Sequence, residues 1–291
     1  MSRTNIFELL AKNNNMERDT IRLNSLFENR FFANSKAARM GYSLKDFVDH
    51  YCFMKWSNRG RCLNVKDYLE TIDYSKLERN AKLGNLDSFL TVIEVIYNFW
   101  HIATNFIDSN VDKFEYFNVV NTLEEMMDDC LSEYNQKAFY SPEKEQCLIA
   151  EDSPQVTAAA EASEPEISLE IVRYNHRQLA GDIAKKKAIL KTLGDYLEGR
   201  KKEISNINAT LYKNITGALN NLNIRHNNTN PENKSYYHKA VAEMPQKELE
   251  AYYDDLYQLI LLAILEIDNV QRQRDMSDLI QKVCEKEKAE T

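Results

Sequence analysis

Residues 179–222 read LAGDIAKKKAILKTLGDYLEGRKKEISNINATLYKNITGALNNL and are the longest periodic segment of the chain. The apolar residues of one row recur at heptad spacing: Ile183, Leu190, Leu197, Ile204 and Leu211. Leu193 and Ile207 supply a second row. Such a repeat keeps one face of a helix apolar. The segment therefore predicts a long helix packed on its neighbours, in which Gly194 and Gly217 mark bends or close packing.

Three other segments have helical periodicity. Residues 86–107 are apolar on most sides, which predicts a helix at the centre of a core. Residues 114–136 predict a more amphipathic helix, and residues 249–267 the last strong one. The chain has only 7 Gly and 5 Pro, which argues against a turn-rich β fold. The predicted fold class is an all-α helical bundle.

The chain is expected to divide at residue 84. Residues 1–84 predict a smaller helical part, with short helices within residues 4–33, 42–56 and 65–72. Asn64 is the expected cap of the last of these helices.

Residues 85–291 predict the bundle itself, with an irregular insertion at about 140–167 where Ser, Pro, Ala and Glu dominate. Within the insertion, residues 147–150 are apolar enough for a strand, and residues 156–162 for one or two helical turns.

Charge and cysteine content restrict the class of protein. The net charge of -8 argues against broad, charge-driven binding to nucleic acid or an anionic membrane, although it does not exclude a local basic surface. The longest apolar run, residues 259–265, is too short to span a bilayer. Five cysteines without paired spacing are typical of reduced thiols. We therefore expect a cytoplasmic protein without membrane contact, metal site or cofactor.

The richest polar stretch is residues 223–228, NIRHNN, directly after the long periodic segment. Arg225 is suited to hold a phosphate by two parallel hydrogen bonds, and His226 exchanges protons near neutral pH. Asn223, Asn227 and Asn228 are suited to orient either side chain or to cap helix ends. Two interpretations remain open: a metal-independent ribonuclease site, or an Asn-rich helix break.

A second polar group lies on the helix predicted at residues 86–107. Glu94, Asn98, His101 and Asn105 share one face of it. They either line the same cleft as Arg225 and His226, or form a hydrogen-bonded stripe against a neighbouring element or solvent.

A basic segment, residues 173–202, contains His176 and Arg177 and runs into the long periodic segment. Its other basic residues are Arg173, Lys185, Lys186, Lys187, Lys191, Arg200, Lys201 and Lys202. It could follow a phosphate backbone, or it could be the solvated face of a helix.

The order of predicted helices and the Arg225-His226-Asn227 motif resemble the HEPN superfamily, helical bundles found in toxins, abortive-infection proteins and RNA-processing enzymes. The resemblance implies a dimer in which two motifs face one cleft and cleave RNA without metal. The family motif has a histidine four to six residues after its arginine. Here that interval holds other residues, and the next histidine, His238, follows after twelve intervening residues. Either the loop folds His238 back, or His226 takes its role, or catalysis is absent.

The resulting hypothesis is an RNA-directed protein and, more specifically, a metal-independent ribonuclease of an abortive-infection (anti-phage) or toxin-type system. Arg225, His226 and His238 are its catalytic candidates, and its supporting residues are Asn223, Asn227, Asn228, His176, Arg177, Glu94 and His101. Its expected partners are RNA, a second copy of the chain, and a protein partner or antitoxin. The alternative is a non-catalytic helical interaction or regulatory protein.

Overall fold

The computed structural model describes residues 15–116 and 119–289, except for the side chains of residues 119–121 and 284–289. The described residues form twelve α-helices and five short strands, and 69% of the structure is helical. The prediction of a mostly helical protein is confirmed, and the strands add two small antiparallel sheets. Residues 4–14 of the first predicted helical segment lie outside the described residues.

The chain divides into two compact units between Glu151 and Asp152. This division differs from the boundary predicted after residue 84, which falls inside the first unit, between two helices that pack together.

The first unit consists mainly of helices. They are, in chain order, α1 (Met16–Asn29), α2 (Leu44–Phe47), α3 (Val65–Thr71), α4 (Tyr74–Lys82), α5 (Leu86–Asp108) and α6 (Val119–Glu133). A π-helical turn (Val48–Cys52) and two short 3-10 turns (Phe53–Lys55, Ser57–Arg59) connect α2 to α3. Its strands are β1 (Ala33–Ser35), β2 (Met40–Tyr42), β3 (Phe114–Tyr116), β4 (Gln136–Ser141) and β5 (Gln146–Glu151).

The core of the first unit forms around α5. Asn85 caps this helix by accepting a hydrogen bond from the backbone of Ser88, and Phe89, Ile93 and Phe99 are completely buried. The apolar pattern of residues 86–107 therefore predicted this helix and its burial correctly, because a helix apolar on most sides needs neighbours on most sides. The capping prediction at Asn64 is also confirmed, since its side chain accepts from the backbone of Asp67.

The strands form two sheets. In the three-stranded sheet, β1 lies between β2 and β3, and Ala33 is opposite both Tyr42 and Tyr116. In the second sheet, β4 and β5 form a hairpin with Phe139 opposite Leu148. The stretch predicted as an irregular insertion is thus ordered: the hairpin occupies its first part, with the expected strand at 147–150 inside β5, and a helix at Pro154–Glu161 follows where helical turns were expected.

The second unit has helices and loops but no strand among its described residues. Its helices are α7 (Pro154–Glu161), α8 (Pro165–Tyr174), α9 (Ile183–Gly199), α10 (Lys201–Asn221), α11 (Lys239–Ala242) and α12 (Gln246–Ala289). A 3-10 turn (Arg177–Leu179) precedes α9. The predicted long helix is thus two helices, broken at Arg200. Inside α10, Asn208 adopts a non-helical conformation, and its side chain caps the following turn at Leu211.

Close packing holds α9, α10 and α12 together. Leu190, Leu197 and Ile204 of the predicted heptad row are buried, whereas Ile207 of the second row is exposed. A Cβ added at Gly194 would lie 2.6 Å from the side chain of Leu219, so close approach is the reason for this glycine.

Other segments also differ from prediction. The helix expected at 114–136 begins as β3 and continues as α6, and the one expected at 249–267 extends to Ala289 in α12. All side chains described beyond residue 270 are exposed. The apolar pattern marked only the buried part of α12.

Candidate functional site

The polar stretch at residues 223–228 ends α10. Asn223 has φ +59°, the left-handed conformation that stops a helix and that asparagine tolerates better than most residues. The backbone N–H of Arg225 then donates to the carbonyl of Leu219 at 2.9 Å. The stretch therefore does break the helix, as one of the two interpretations expected, and this holds with or without a catalytic role.

Asn228 organises the loop that follows. It is completely buried and lies between the two ends of the loop. Its Oδ1 accepts from the backbone N–H of Asn223 at 2.8 Å, and its Nδ2 donates to the carbonyl of Tyr236 at 2.7 Å. Its own carbonyl accepts from the backbone N–H of His238 at 2.9 Å. Since a buried amide must satisfy its hydrogen bonds, these contacts close the loop and bring the backbone of His238 back to the motif.

Arg225 is held by two carboxylates of α9. Its Nη2 lies 3.2 Å from Oδ1 of Asp195 and 2.7 Å from Oε2 of Glu198. The arginine side chain is 13% exposed, while both carboxylates are more than half exposed. Its Nε is buried and has no hydrogen-bond partner among the described residues. The guanidinium is thus fixed in place, with part of its donor capacity unused.

His226 is fixed by a ring contact. Its imidazole stacks on the ring of Tyr236, with the ring centroids 4.0 Å apart and 16° between the planes. The tyrosine is 44% exposed, so the stacked pair lies at the surface of the loop. The stacking contact thus fixes the imidazole of the residue that follows Arg225, and the imidazole is accessible from solvent.

His238 is exposed, directly before α11. Among the described residues, no hydrogen bond or ring contact joins its side chain to Arg225 or His226. The loop therefore returns the backbone of His238 to the motif without a contact between the three side chains. Asn227 is exposed and bonds within the loop, to the hydroxyl of Thr229 at 3.2 Å.

The supporting candidates His176 and Arg177 lie after α8. His176 is nearly buried, and its Nδ1 accepts from the backbone of Gln178 at 3.3 Å. Its Nε2 lies 3.3 Å from Nη1 of Arg177. His176 therefore caps a turn.

Lys186, within the predicted basic segment, is buried in an ion-pair cluster. Its Nζ lies 2.8 Å from Glu250 and 2.7 Å from Asp254, and 5.3 Å from the ring centroid of Tyr174. Burial lowers the pKa of Lys186, but the hydrogen bonds and charges of the two carboxylates raise it further, so the net shift is upward. This charge is used inside the unit and is not available to an external phosphate.

The polar row on α5 binds the hairpin β4–β5. A carboxylate oxygen of Glu94 accepts from the backbone N–H of Ile149 at 2.9 Å. The amide of Asn98 donates to the carbonyl of Cys147 and accepts from its N–H, both at 2.9 Å. Two side chains of the helix thus act as hydrogen-bond partners for β5, as a neighbouring strand would.

His101 completes this contact with its ring. It stacks on Tyr140 of β4, with centroids 3.9 Å apart and planes 11° apart, and on Tyr97 at 5.7 Å. Burial lowers the pKa of His101 to about 4, although the charge of Asp128 acts in the opposite direction. The imidazole is therefore neutral at pH 7. These contacts favour the structural interpretation of the row, with a hairpin as the neighbouring element.

Sequence reasoning missed the partners of the motif. Asp195 and Glu198 lie about thirty residues before Arg225, and Tyr236 lies ten residues after His226. The only sequence signal was the i, i+3 spacing of the two acids on a predicted helix.

Neither a metal site nor a membrane span is found in the residues that the structure describes. No group of three or more His, Cys, Asp or Glu is arranged there to hold a metal ion. Within residues 15–116 and 119–289, no helix combines the length and apolar character needed to cross a bilayer.

Comparisons with known proteins assign no family to this geometry. No family model matches the chain, and no curated protein or solved structure matches it. The HEPN resemblance stays a prediction based on the order of the helices and the motif at Arg225.

Proposed function

We propose that the protein acts on RNA through the loop at residues 223–238, as a metal-independent ribonuclease of an abortive-infection or toxin-type system. The observation that carries the proposal is the bonding of Asn228, which brings the backbone of His238 back to the loop that carries Arg225 and His226. The sequence left two ways of retaining catalysis: the loop folds His238 back, or His226 takes its role. This loop closure favours the first.

The proposed chemistry uses three side chains. One histidine, His226 or His238, takes the proton of a ribose 2′-hydroxyl, and the 2′ oxygen then attacks the phosphorus. The other histidine gives a proton to the leaving 5′ oxygen. Arg225 stabilises the charge on the phosphate. The products are a 2′,3′-cyclic phosphate and a 5′-hydroxyl end.

Arg225 must first exchange a carboxylate for the phosphate. Asp195 and Glu198 are exposed enough to rotate away, which releases Nη2 of Arg225 for the phosphate. The proposal assigns no chemical role to Glu94 or His101, whose polar groups hold the hairpin β4–β5.

Cleavage of total RNA by the purified protein in the presence of a chelator tests the proposal. We expect cyclic-phosphate ends with the wild type, and loss of cleavage with Arg225→Ala and with His226→Ala. His50→Ala, which changes an exposed histidine of the first unit, is the matched control and keeps activity. His238→Ala separates the two catalytic alternatives, because activity is retained if His238 takes no part. Equal results for wild type and Arg225→Ala, both on RNA and in cell-toxicity assays, would overturn the proposal.

A second candidate is a non-catalytic interaction or regulatory protein. The two ion pairs of Arg225 favour it, because a guanidinium already paired with carboxylates stabilises a loop without a ligand. In that case neither wild type nor variants cleave RNA, and Arg225→Ala lowers only thermal stability.

The proposed assembly is a homodimer, as the family resemblance implies. Light scattering of the purified wild type measures its mass directly. A monomer at micromolar concentration would remove the paired-motif form of the ribonuclease proposal.

A further inference from the structure

One face of α9 carries a charge pattern beside the Arg225 site. Lys187, Lys191, Asp195 and Glu198 follow at i, i+4, i+8 and i+11, which places them in one arc of the helix. The two acids at its C-terminal end hold Arg225. The two lysines at its N-terminal end therefore lie on the same side of the helix as the motif.

These lysines differ from their neighbours in their ion pairs. Lys185 lies 3.1 Å from Asp182, and Lys186 is paired with two carboxylates. Lys187 and Lys191 form no ion pair among the described residues. Two like charges one helical turn apart repel each other, which lowers stability. Two neighbouring lysines without ion-pair partners are notable in a chain with 45 acidic residues against 37 Lys and Arg.

The surroundings of Lys187 provide space for a ligand. Lys187 is half-buried and lines an open depression of about 680 Å³ together with Asn223, Gln246 and Asp182, whose carboxylate is paired with Lys185. The depression lies over the first turn of α9. Burial, and after it the charge of Lys191, lower the pKa of Lys187. An anion bound here would offset the charge of Lys191 and favour the charged form of Lys187.

We infer that Lys187 and Lys191 form a phosphate-binding subsite that extends the Arg225 site along α9, and that its ligand is the phosphodiester backbone of single-stranded RNA. This inference rests on the proposed function. The subsite lies about 10 Å along the helix from Glu198 to Lys191, at 1.5 Å per residue. It binds a phosphate other than the one that is cleaved, because Arg225 contacts the opposite end of the face.

The test measures how the binding of a fluorescent single-stranded oligoribonucleotide to the protein depends on salt. The oligoribonucleotide carries 2′-O-methyl groups, so it resists cleavage. We expect the double variant Lys187→Gln/Lys191→Gln to bind more weakly at every salt concentration. The slope of log K against log salt concentration should become smaller by about 0.7 for each phosphate that a lysine no longer neutralises. Lys187→Arg/Lys191→Arg keeps the charges and restores the slope. Lys185→Gln, at a paired lysine of the same helix, is the matched control and leaves it unchanged.

Thermal unfolding gives a second readout that needs no RNA. Removal of the repulsion should raise the Tm of the double Gln variant by about 1 °C. Weaker RNA binding with an unchanged or higher Tm supports the subsite, because a structural role would lower the Tm. An unchanged slope in the double variant overturns the subsite and leaves the ribonuclease proposal intact. Absence of RNA binding and cleavage by the wild type overturns the proposed function itself and the subsite with it.

Discussion

The polar row on α5 and the loop at residues 223–238 contain similar side chains but use them differently. In the first unit, the side chains of Glu94 and Asn98 bond to the backbone of β5, and His101 stacks on β4. In the loop, the side chains of Asn223 and Asn228 bond to backbone groups of the loop itself, while His226 is half-buried and His238 is exposed. The half-buried polar groups on α5 therefore form contacts within the fold. The loop instead carries His226 and His238 on a segment that the buried side chain of Asn228 shapes.

The largest expected effect is that of removing the anchor. Asn228→Ala leaves the N–H of Asn223 and the carbonyl of Tyr236 without their partner, and we expect a loss of about 2–3 kcal/mol in the free energy of unfolding. Urea unfolding measures it. Asn227→Ala, at the exposed neighbouring asparagine, should change stability by less than about 0.5 kcal/mol. Equal effects of the two substitutions would contradict the role of Asn228.

Substitution of His226 or His238 should not cause this loss in the free energy of unfolding. If Asn228→Ala also abolishes RNA cleavage while His238→Ala keeps it, the loop shape matters and His238 itself does not.

An intermediate effect is expected at His101, as a change of stability with pH. Its pKa in the folded protein is about 4, below the ordinary value of 6.5, because burial disfavours the charged imidazole. The unfolded chain therefore binds the proton more readily between these pH values, and the stability due to this group falls as the pH drops from about 6.5 to about 4. The contribution is complete above pH 6.5.

The measurement is the difference in the free energy of unfolding between wild type and His101→Phe. His101→Phe keeps a flat ring on Tyr140 and removes the titration, so the variant should lose less stability than the wild type over this pH range. Other acids titrate in both chains and cancel in the difference. Parallel stability curves for wild type and His101→Phe would show that the imidazole does not titrate as expected.

Much of the helical architecture could be predicted from the sequence, because apolar periodicity reports which face of a helix is buried. It correctly indicated α5 and the buried part of α12, and the apolar residues 147–150 lie within β5. It did not indicate the break at Arg200, since Leu197 and Ile204 stay in heptad register and are buried on both sides of it.

The site was harder to predict, because its geometry depends on contacts between distant residues. The motif drew attention to Arg225 and His226, whose residue types carry chemistry. Neither the acids of α9 nor the buried position of Asn228 could be read from a single sequence, since several similar asparagines and acids lie nearby. The same holds for Glu94, whose partner Ile149 lies 55 residues away.

The smallest expected effect on stability comes from removing an ion pair of Arg225. Its size distinguishes an arginine that only stabilises the fold from one that is available to a ligand. Glu198→Gln should lower the free energy of unfolding by less than about 1 kcal/mol, because the carboxylate is 58% exposed and solvent screens the pair. The loss should disappear in about 1 M salt, where the screening length is only about 3 Å. Asp268→Asn, at the ion pair of Arg272 on α12, is a matched control outside the loop. If Glu198→Gln costs several kcal/mol at every salt concentration, the arginine is a structural element like Asn98, and the difference between the two regions is lost. A small, salt-dependent loss combined with tighter RNA binding would instead mean that the carboxylate competes with phosphate for Arg225.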